Sequence, residues 1–290
     1  MTDERTIPAL DEHDWSLVIK PKRSLFALPI AELFRYKDLI AMFVRRDFVS
    51  VYKQTILGPL WYLIQPLLTT ITFTVIFGNI AKLPTDGLPQ FLFYMSGTVI
   101  WTYFATCLTK TSTVFVDNMQ LFGKVYFPRL TVPVSILISN LITFGIQFVF
   151  FLGFMAYFAI RGTVFHPNWW ILFSPVLIFM MAGLGLGLGI LISSMTTKYR
   201  DLRFLVAFGV SLLMYATPVI YPVSSIPPQY QMLIKANPMT PIVETFRYGF
   251  LGAGTVNPLD LLYSFGFMVV IVIIGTVVFN RVEATFMDTV

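Results

Sequence analysis

The chain has 290 residues, 56% of them hydrophobic and only 12% charged, with a formal net charge of +5. Soluble domains carry roughly 25% charged residues, so an ordinary hydrated surface is excluded and most of this chain is expected to face lipid or other protein. Nucleic-acid binding is excluded as well, because it would gather the cations on a folded soluble face and here they are spread along the sequence.

The first 30 residues, opening MTDERTIPALDEHDW, are mixed polar, hold Pro8, Pro21 and Pro29, and show no sustained period. A flexible cytoplasmic lead is expected there. Residues 31–53 differ: Leu33, Tyr36, Ile40 and Phe43 recur at steps of three and four, while Arg35, Lys37, Asp38, Arg45 and Arg46 take much of the remaining circumference. That pattern predicts an amphipathic helix lying in the membrane interface, its cations near anionic headgroups. No cleavable signal peptide is visible, and the first apolar segment begins only after about 55 residues. The first span is expected to act as the insertion signal.

Six stretches free of Asp, Glu, Lys and Arg reach at least 20 residues: 54–81, 87–109, 130–160, 162–197, 204–234 and 261–280. About 20 apolar residues cross the hydrocarbon of a bilayer. An all-α integral membrane protein follows, with six spans near 56–80, 89–109, 130–158, 169–194, 204–221 and 260–280. The first carries Pro59 at its start, where a missing N–H is harmless, and Pro66 inside it, where a kink is expected. The connection 110–129 holds Leu121, Phe122, Val125, Tyr126 and Phe127 between charged ends, closed by Pro128. A short helix with exposed aromatics there is either a docking element for a cytoplasmic partner or a continuation of the neighbouring spans. In the fourth span, AGLGLGLG sets Gly183 with Gly187 and Gly185 with Gly189, the spacing that lets helix backbones approach closely. The prolines of YPVSSIPPQY are expected to end the fifth helix near Tyr221.

With a cytoplasmic N-terminus, 16 of the 20 Lys and Arg residues lie inside, and Lys82, Arg161, Lys235 and Arg247 lie outside. This bias places both termini in the cytoplasm under the positive-inside rule. Cys107 is the single cysteine, and His13 and His166 fall on opposite sides of the membrane, so no metal site is expected. No phosphate-cradling G-x-x-x-x-G-K-[ST] loop occurs. No span core carries an ionisable group of the kind that couples ion flow to transport. Spans without an energy source point to a separate motor subunit, and the chain is expected to catalyse no bond chemistry.

Four segments, YKQTILGPLWYLIQPLL (52–68), NMQLFGKVYFPRLTVP (118–133), KYRDLR (198–203) and NPMTPIVETFRYGFLG (237–252), resemble signature segments of type-2 ABC transporter permeases that export polysaccharides. They run in family order, and O-antigen exporters are the nearest group, with teichoic-acid exporters close by. The resemblance implies a homodimer of six-span subunits with two copies of a cytoplasmic nucleotide-binding ATPase. It implies no cofactor on this chain, ATP and Mg being held by that partner. On it, residues 31–53, with Phe43 and Arg46, form a cytoplasmic cuff. Asn118, Leu121, Phe122, Lys124, Tyr126 and Phe127 belong to a coupling helix at 118–127, and residues 222–259 hold two short helices that re-enter the membrane near the channel exit.

Glu244 and Arg247 then fall on one face of a re-entrant helix at i and i+3. They either form a structural ion pair or meet sugar hydroxyls or a lipid diphosphate at the exit. Aromatic rings stack on the C–H faces of sugars, so Trp61, Tyr62, Trp101, Tyr103, Phe104, Tyr215 and Tyr221 are candidates for a channel lining, although Trp and Tyr also collect at membrane interfaces. The expectation is a bacterial inner-membrane permease for a lipid-linked polysaccharide. Export of teichoic acid or capsule, a drug or lipid exporter of the same fold, and an ion-coupled carrier are the alternatives.

Overall fold

Every regular element among the described residues is helical. The structure is a computed structural model that describes residues 30–53, 56–125, 127–197, 199 and 201–286. The N-terminal lead and Tyr126 lie outside that set.

Helices α1 (Ile30–Arg35) and α2 (Lys37–Lys53) run into one another through Tyr36, whose amide donates to the Glu32 carbonyl and whose carbonyl accepts from Ile40, both at 3.0 Å. Phe43 turns inward from α2 and Arg45 and Arg46 stay exposed. After a 3-10 turn at Gly58–Leu60 comes α3 (Trp61–Phe73), which continues as a π-helical segment over Thr74–Ile80.

Helix α4 (Gln90–Thr111) is the axis of the molecule: its apolar window is 78% buried, against 22% for Trp61–Ile80. Two single turns, α5 (Val114–Asp117) and α6 (Met119–Phe122), lead to α7 (Thr131–Ile160), whose 30 residues extend roughly 45 Å. The proline inside α3 now has a structural counterpart. Pro66 lacks the N–H that would bond to the Tyr62 carbonyl, and Gln147 of α7 donates its side-chain amide to that oxygen at 3.1 Å. Helix α3 is thus tied to its neighbour through the group that the proline left open.

A 3-10 turn at Trp169–Phe173 opens into α8 (Ser174–Thr196). Its glycines face two ways. A Cβ on Gly185 or Gly189 would lie 2.8 Å from Cys107 Cβ or 2.6 Å from Thr111 Cβ of α4. One on Gly187 would lie 2.8 Å from the backbone nitrogen of Val272, in the final helix. The two interleaved pairs let α8 press its backbone against both neighbours.

Helix α9 (Leu202–Tyr215) has 14 residues, roughly 21 Å, and stops short of the expected Tyr221. Pro218 ends it: it offers no amide to continue the ladder, and Thr217 makes the last bond back, to the Met214 carbonyl at 3.2 Å. The prolines after Tyr221 come too late to matter. Thr217–Ile220 then pass through the interior as buried chain. Beyond α10 (Pro228–Lys235) lie α11 (Met239–Leu251) and the terminal α12 (Pro258–Phe286). Every residue of α11 except Tyr248 is buried, and Gly252 closes it with φ +77, a left-handed cap.

Five helices among the described residues are long and apolar enough to cross a membrane: Trp61–Ile80, Gln90–Thr111, Thr131–Ile160, Trp169–Thr196 and Pro258–Val282. Helix α9 is apolar but shorter.

Candidate functional site

Three helices bring polar side chains to one cleft. Helix α3 contributes Gln65 and Thr69, α4 contributes Thr102, Thr106 and Lys110, and α7 contributes Asn140, Thr143 and Gln147. Within each helix these residues recur at steps of three or four, which stacks them on one face. Trp61, Tyr62, Tyr103 and Phe144 supply aromatic walls, with the Tyr103 and Phe144 rings 5.4 Å apart. The cavity measures about 280 Å³. At its Lys110 end, the ammonium donates to Asn140 Oδ1 at 3.3 Å, and Asn140 Nδ2 donates to the Ile136 carbonyl at 2.8 Å.

On the other side of the row Trp61, Gln65, Thr69 lies a groove of about 420 Å³ completed by Leu68, Thr72 and Phe73. The two cavities share that row. A path lined this way offers neutral hydrogen-bonding groups and ring faces beside a hydrocarbon-like strip, with one cation at the end. It can solvate a polar, uncharged chain. Among the described residues it contains no acid–base pair suited to bond cleavage.

Of the aromatic residues expected to line a channel, Trp61, Tyr62 and Tyr103 stand in this cleft. Trp101 and Phe104 point elsewhere, packed together at 5.4 Å in the core and 6% and 1% exposed. Their orientation follows from α4 being surrounded: rings on the covered faces have only other helices to meet. Tyr215 is exposed at the end of α9, and the Tyr221 hydroxyl donates to its carbonyl at 2.9 Å. Gln65, beside Pro59 and Pro66, marks this wall in the sequence, whereas the threonines, Asn140 and Gln147 are inconspicuous one at a time. Their repeat along three spans was the available signal.

The Glu244–Arg247 pair sits in α11, with Arg247 Nη1 3.2 Å from Glu244 Oε1 and side chains 1% and 3% exposed, arginine first. The guanidinium also donates to the carbonyls of Pro218 and Val219 at 3.0 and 3.3 Å and to Ser96 Oγ at 3.4 Å, and it lies 3.8 Å from the centre of the Phe93 ring. Glu244 Oε2 accepts the Thr255 amide at 3.2 Å. This cluster ties α11 to α4, to the chain after α9 and to the loop before α12.

Of the expected coupling helix, Phe122 and Phe127 are turned inward rather than exposed. Phe122 and Phe127 are 3% and 5% exposed, and their rings lie 5.8 Å apart. Phe127 reaches Phe43 at 5.9 Å, and Phe115, stacked on Phe279 at 4.5 Å, meets Phe122 at 6.0 Å. The apolar rings collapse on one another, as buried aromatic pairs favour. The helix itself is one turn, and Asn118 is spent on the Val114 carbonyl at 3.0 Å. Lys124 and Val125 remain exposed, Leu121 is half-buried, and Arg46 pairs with Asp47 at 2.8 Å.

Known proteins resemble the chain along most of its length. An O-antigen export system permease protein RfbA from Klebsiella pneumoniae is 26% identical over 87% of this chain and 94% of its own. One of the same name from Myxococcus xanthus is 27% identical over 75% of this chain and 82% of its own. The inner membrane transport permease YadH from Escherichia coli (strain K12) is 22% identical over 78% of this chain and 86% of its own. Residues 38–251 match the family described as ABC-2 type transporter. That match covers well over half of the 290 residues, and the chain belongs to the ABC-2 type transporter family.

Proposed function

We propose that this chain is the membrane permease of an ATP-driven exporter that carries a lipid-linked polysaccharide of O-antigen type outward across the bacterial inner membrane. The carrying observation is the polar cleft, neutral except for Lys110 at one end, beside an apolar groove on the row Trp61, Gln65, Thr69. Sugar rings need many weak hydrogen bonds and ring faces if a long chain is to slide, and a lipid tail needs a contiguous apolar strip. The similarity to two RfbA permeases supports the same reading.

The chain works as a homodimer with two copies of a cytoplasmic ATPase, which hold ATP and Mg. The exposed apolar surfaces of α3 and of α9, none of whose residues is buried, support a partner copy there. Both termini are cytoplasmic. Helix α9 and the chain after it make the sixth crossing, and α10 and α11 form the re-entrant exit region. Because Glu244 and Arg247 spend their bonds inside the protein, their role is to fasten α11, and sugar passes elsewhere. The ATPase pushes on Leu121, Lys124 and Val125, and the ring cluster of Phe43, Phe122 and Phe127 carries the push to the spans.

Inverted vesicles containing the chain and its ATPase provide the test, with a lipid-linked glycan as substrate. Uptake that needs ATP hydrolysis is expected. Uptake that survives ATP depletion and collapses with the ion gradient would favour an ion-coupled carrier and overturn the proposal.

A further inference from the structure

Another cavity lies away from the polar cleft, between α2 and the first part of α7. It measures about 730 Å³. Its floor is Val134, Ile138 and Ile142, a single face of α7 at steps of four, and its wall is Ile40, Val44 and Phe48 of α2. Lys37 and Arg45 stand on its rim, eight residues and so roughly 12 Å apart along one side of α2. Neither has an ion-pair partner among the described residues.

The groove cannot close by rotation of α2. Phe43, on the opposite side of that helix, is held in the ring cluster with Phe127, 8% exposed. The floor belongs to a helix long and apolar enough to span the bilayer, and it lies within the first twelve residues of that helix. A groove on the opening turns of a spanning helix is placed to receive a leaflet's acyl chain, and the long Lys37 and Arg45 side chains can reach toward its headgroups. An apolar slot beneath unpaired cations matches the chemistry of a phospholipid with a negatively charged headgroup. We infer that the groove between α2 and α7 binds one acyl chain of an anionic phospholipid, whose headgroup is held by Lys37 and Arg45. The lipid fills a space that side chains leave open and fixes the angle at which α2 meets the membrane helix.

The full chain can be purified from micelles containing equal amounts of phosphatidylglycerol and phosphatidylcholine, and the retained lipids counted by native mass spectrometry. Basic residues near an anionic surface each favour it severalfold, so wild-type protein should retain phosphatidylglycerol on the order of tenfold over phosphatidylcholine. Lys37→Gln with Arg45→Gln should bring that preference close to unity without altering the folded chain. Ile138→Trp should lower retention of both lipids by filling the slot. Equal retention of the two lipids by wild type, or an unchanged preference in the double variant, overturns the proposal. Cross-linking between two copies through Ile138→Cys would also overturn it, because the groove would then be an interface between subunits.

Discussion

Replacing Gln147 with leucine removes the donor that reaches the Tyr62 carbonyl at 3.1 Å, the oxygen that Pro66 leaves open. Leucine has similar bulk, so the change isolates the hydrogen bond. Bonds between membrane helices contribute about 0.6 kcal/mol on average and up to about 1.7, and an unsatisfied buried acceptor costs about 1–3 kcal/mol. A loss of about 1–2 kcal/mol is expected for Gln147→Leu. Pro66→Ala restores an amide at residue 66, and that amide reaches the same carbonyl within the helix. In the Pro66→Ala background the leucine substitution should therefore cost close to nothing, which gives a coupling of about 1 kcal/mol in a double-mutant cycle. Reversible unfolding in mixed detergent micelles, followed by tryptophan fluorescence, measures all four proteins. Equal costs in the two backgrounds would refute the link between the proline and the amide.

Glu244→Gln leaves the Arg247 charge buried among carbonyls and should destabilise the chain by about 3–5 kcal/mol, seen as early aggregation on heating in size-exclusion chromatography. Exchanging the two residues should not rescue it, because a carboxylate would then face the carbonyls of Pro218 and Val219. Gly187→Ala forces a methyl group to 2.8 Å from the Val272 backbone and should cost about 1–3 kcal/mol, whereas Gly209→Ala, with nothing within 4 Å, should be near neutral in the same unfolding assay. Thr69→Val with Thr106→Val keeps the shape of the cleft and removes two hydroxyls, so glycan export should fall severalfold while assembly with the ATPase, judged by co-purification, stays unchanged.

Much of the architecture was legible because lipid imposes a plain rule on sequence: stretches without charge become long helices. The glycines of AGLGLGLG announced close packing, and two faces of α8 use them. What could not be read depended on distant residues. Arg247 finds partners at Ser96, Pro218 and Val219, between 28 and 151 positions away, so nothing in NPMTPIVETFRYGFLG identified them. Phe122 and Phe127 looked available because local sequence does not reveal that Phe43, Phe115 and Phe279 converge on them. Helix α9 ends earlier than the prolines after Tyr221 suggest because Pro218 comes first. Most of the cleft escaped because threonine and amide side chains are mild beside charges. Inside a bilayer, a repeat of such groups at every turn is a strong signal.

Glycine on both sides of α8 has a mechanical corollary. Backbone lies against backbone, and a Cβ on Gly275 would come within 2.5 Å of the Gly187 carbonyl, so twisting or sliding any of the three helices α4, α8 and α12 would drive main chain into main chain. They form a stiff keel. Whatever widening a bulky cargo demands must be supplied at the periphery, by α3 and α9, which lack such interlocking. Probe distances across the keel should stay constant through the ATPase cycle while those from α4 to α3 and α9 lengthen and shorten. The passage would then open as a hull does when its planks part, with the spine unmoved.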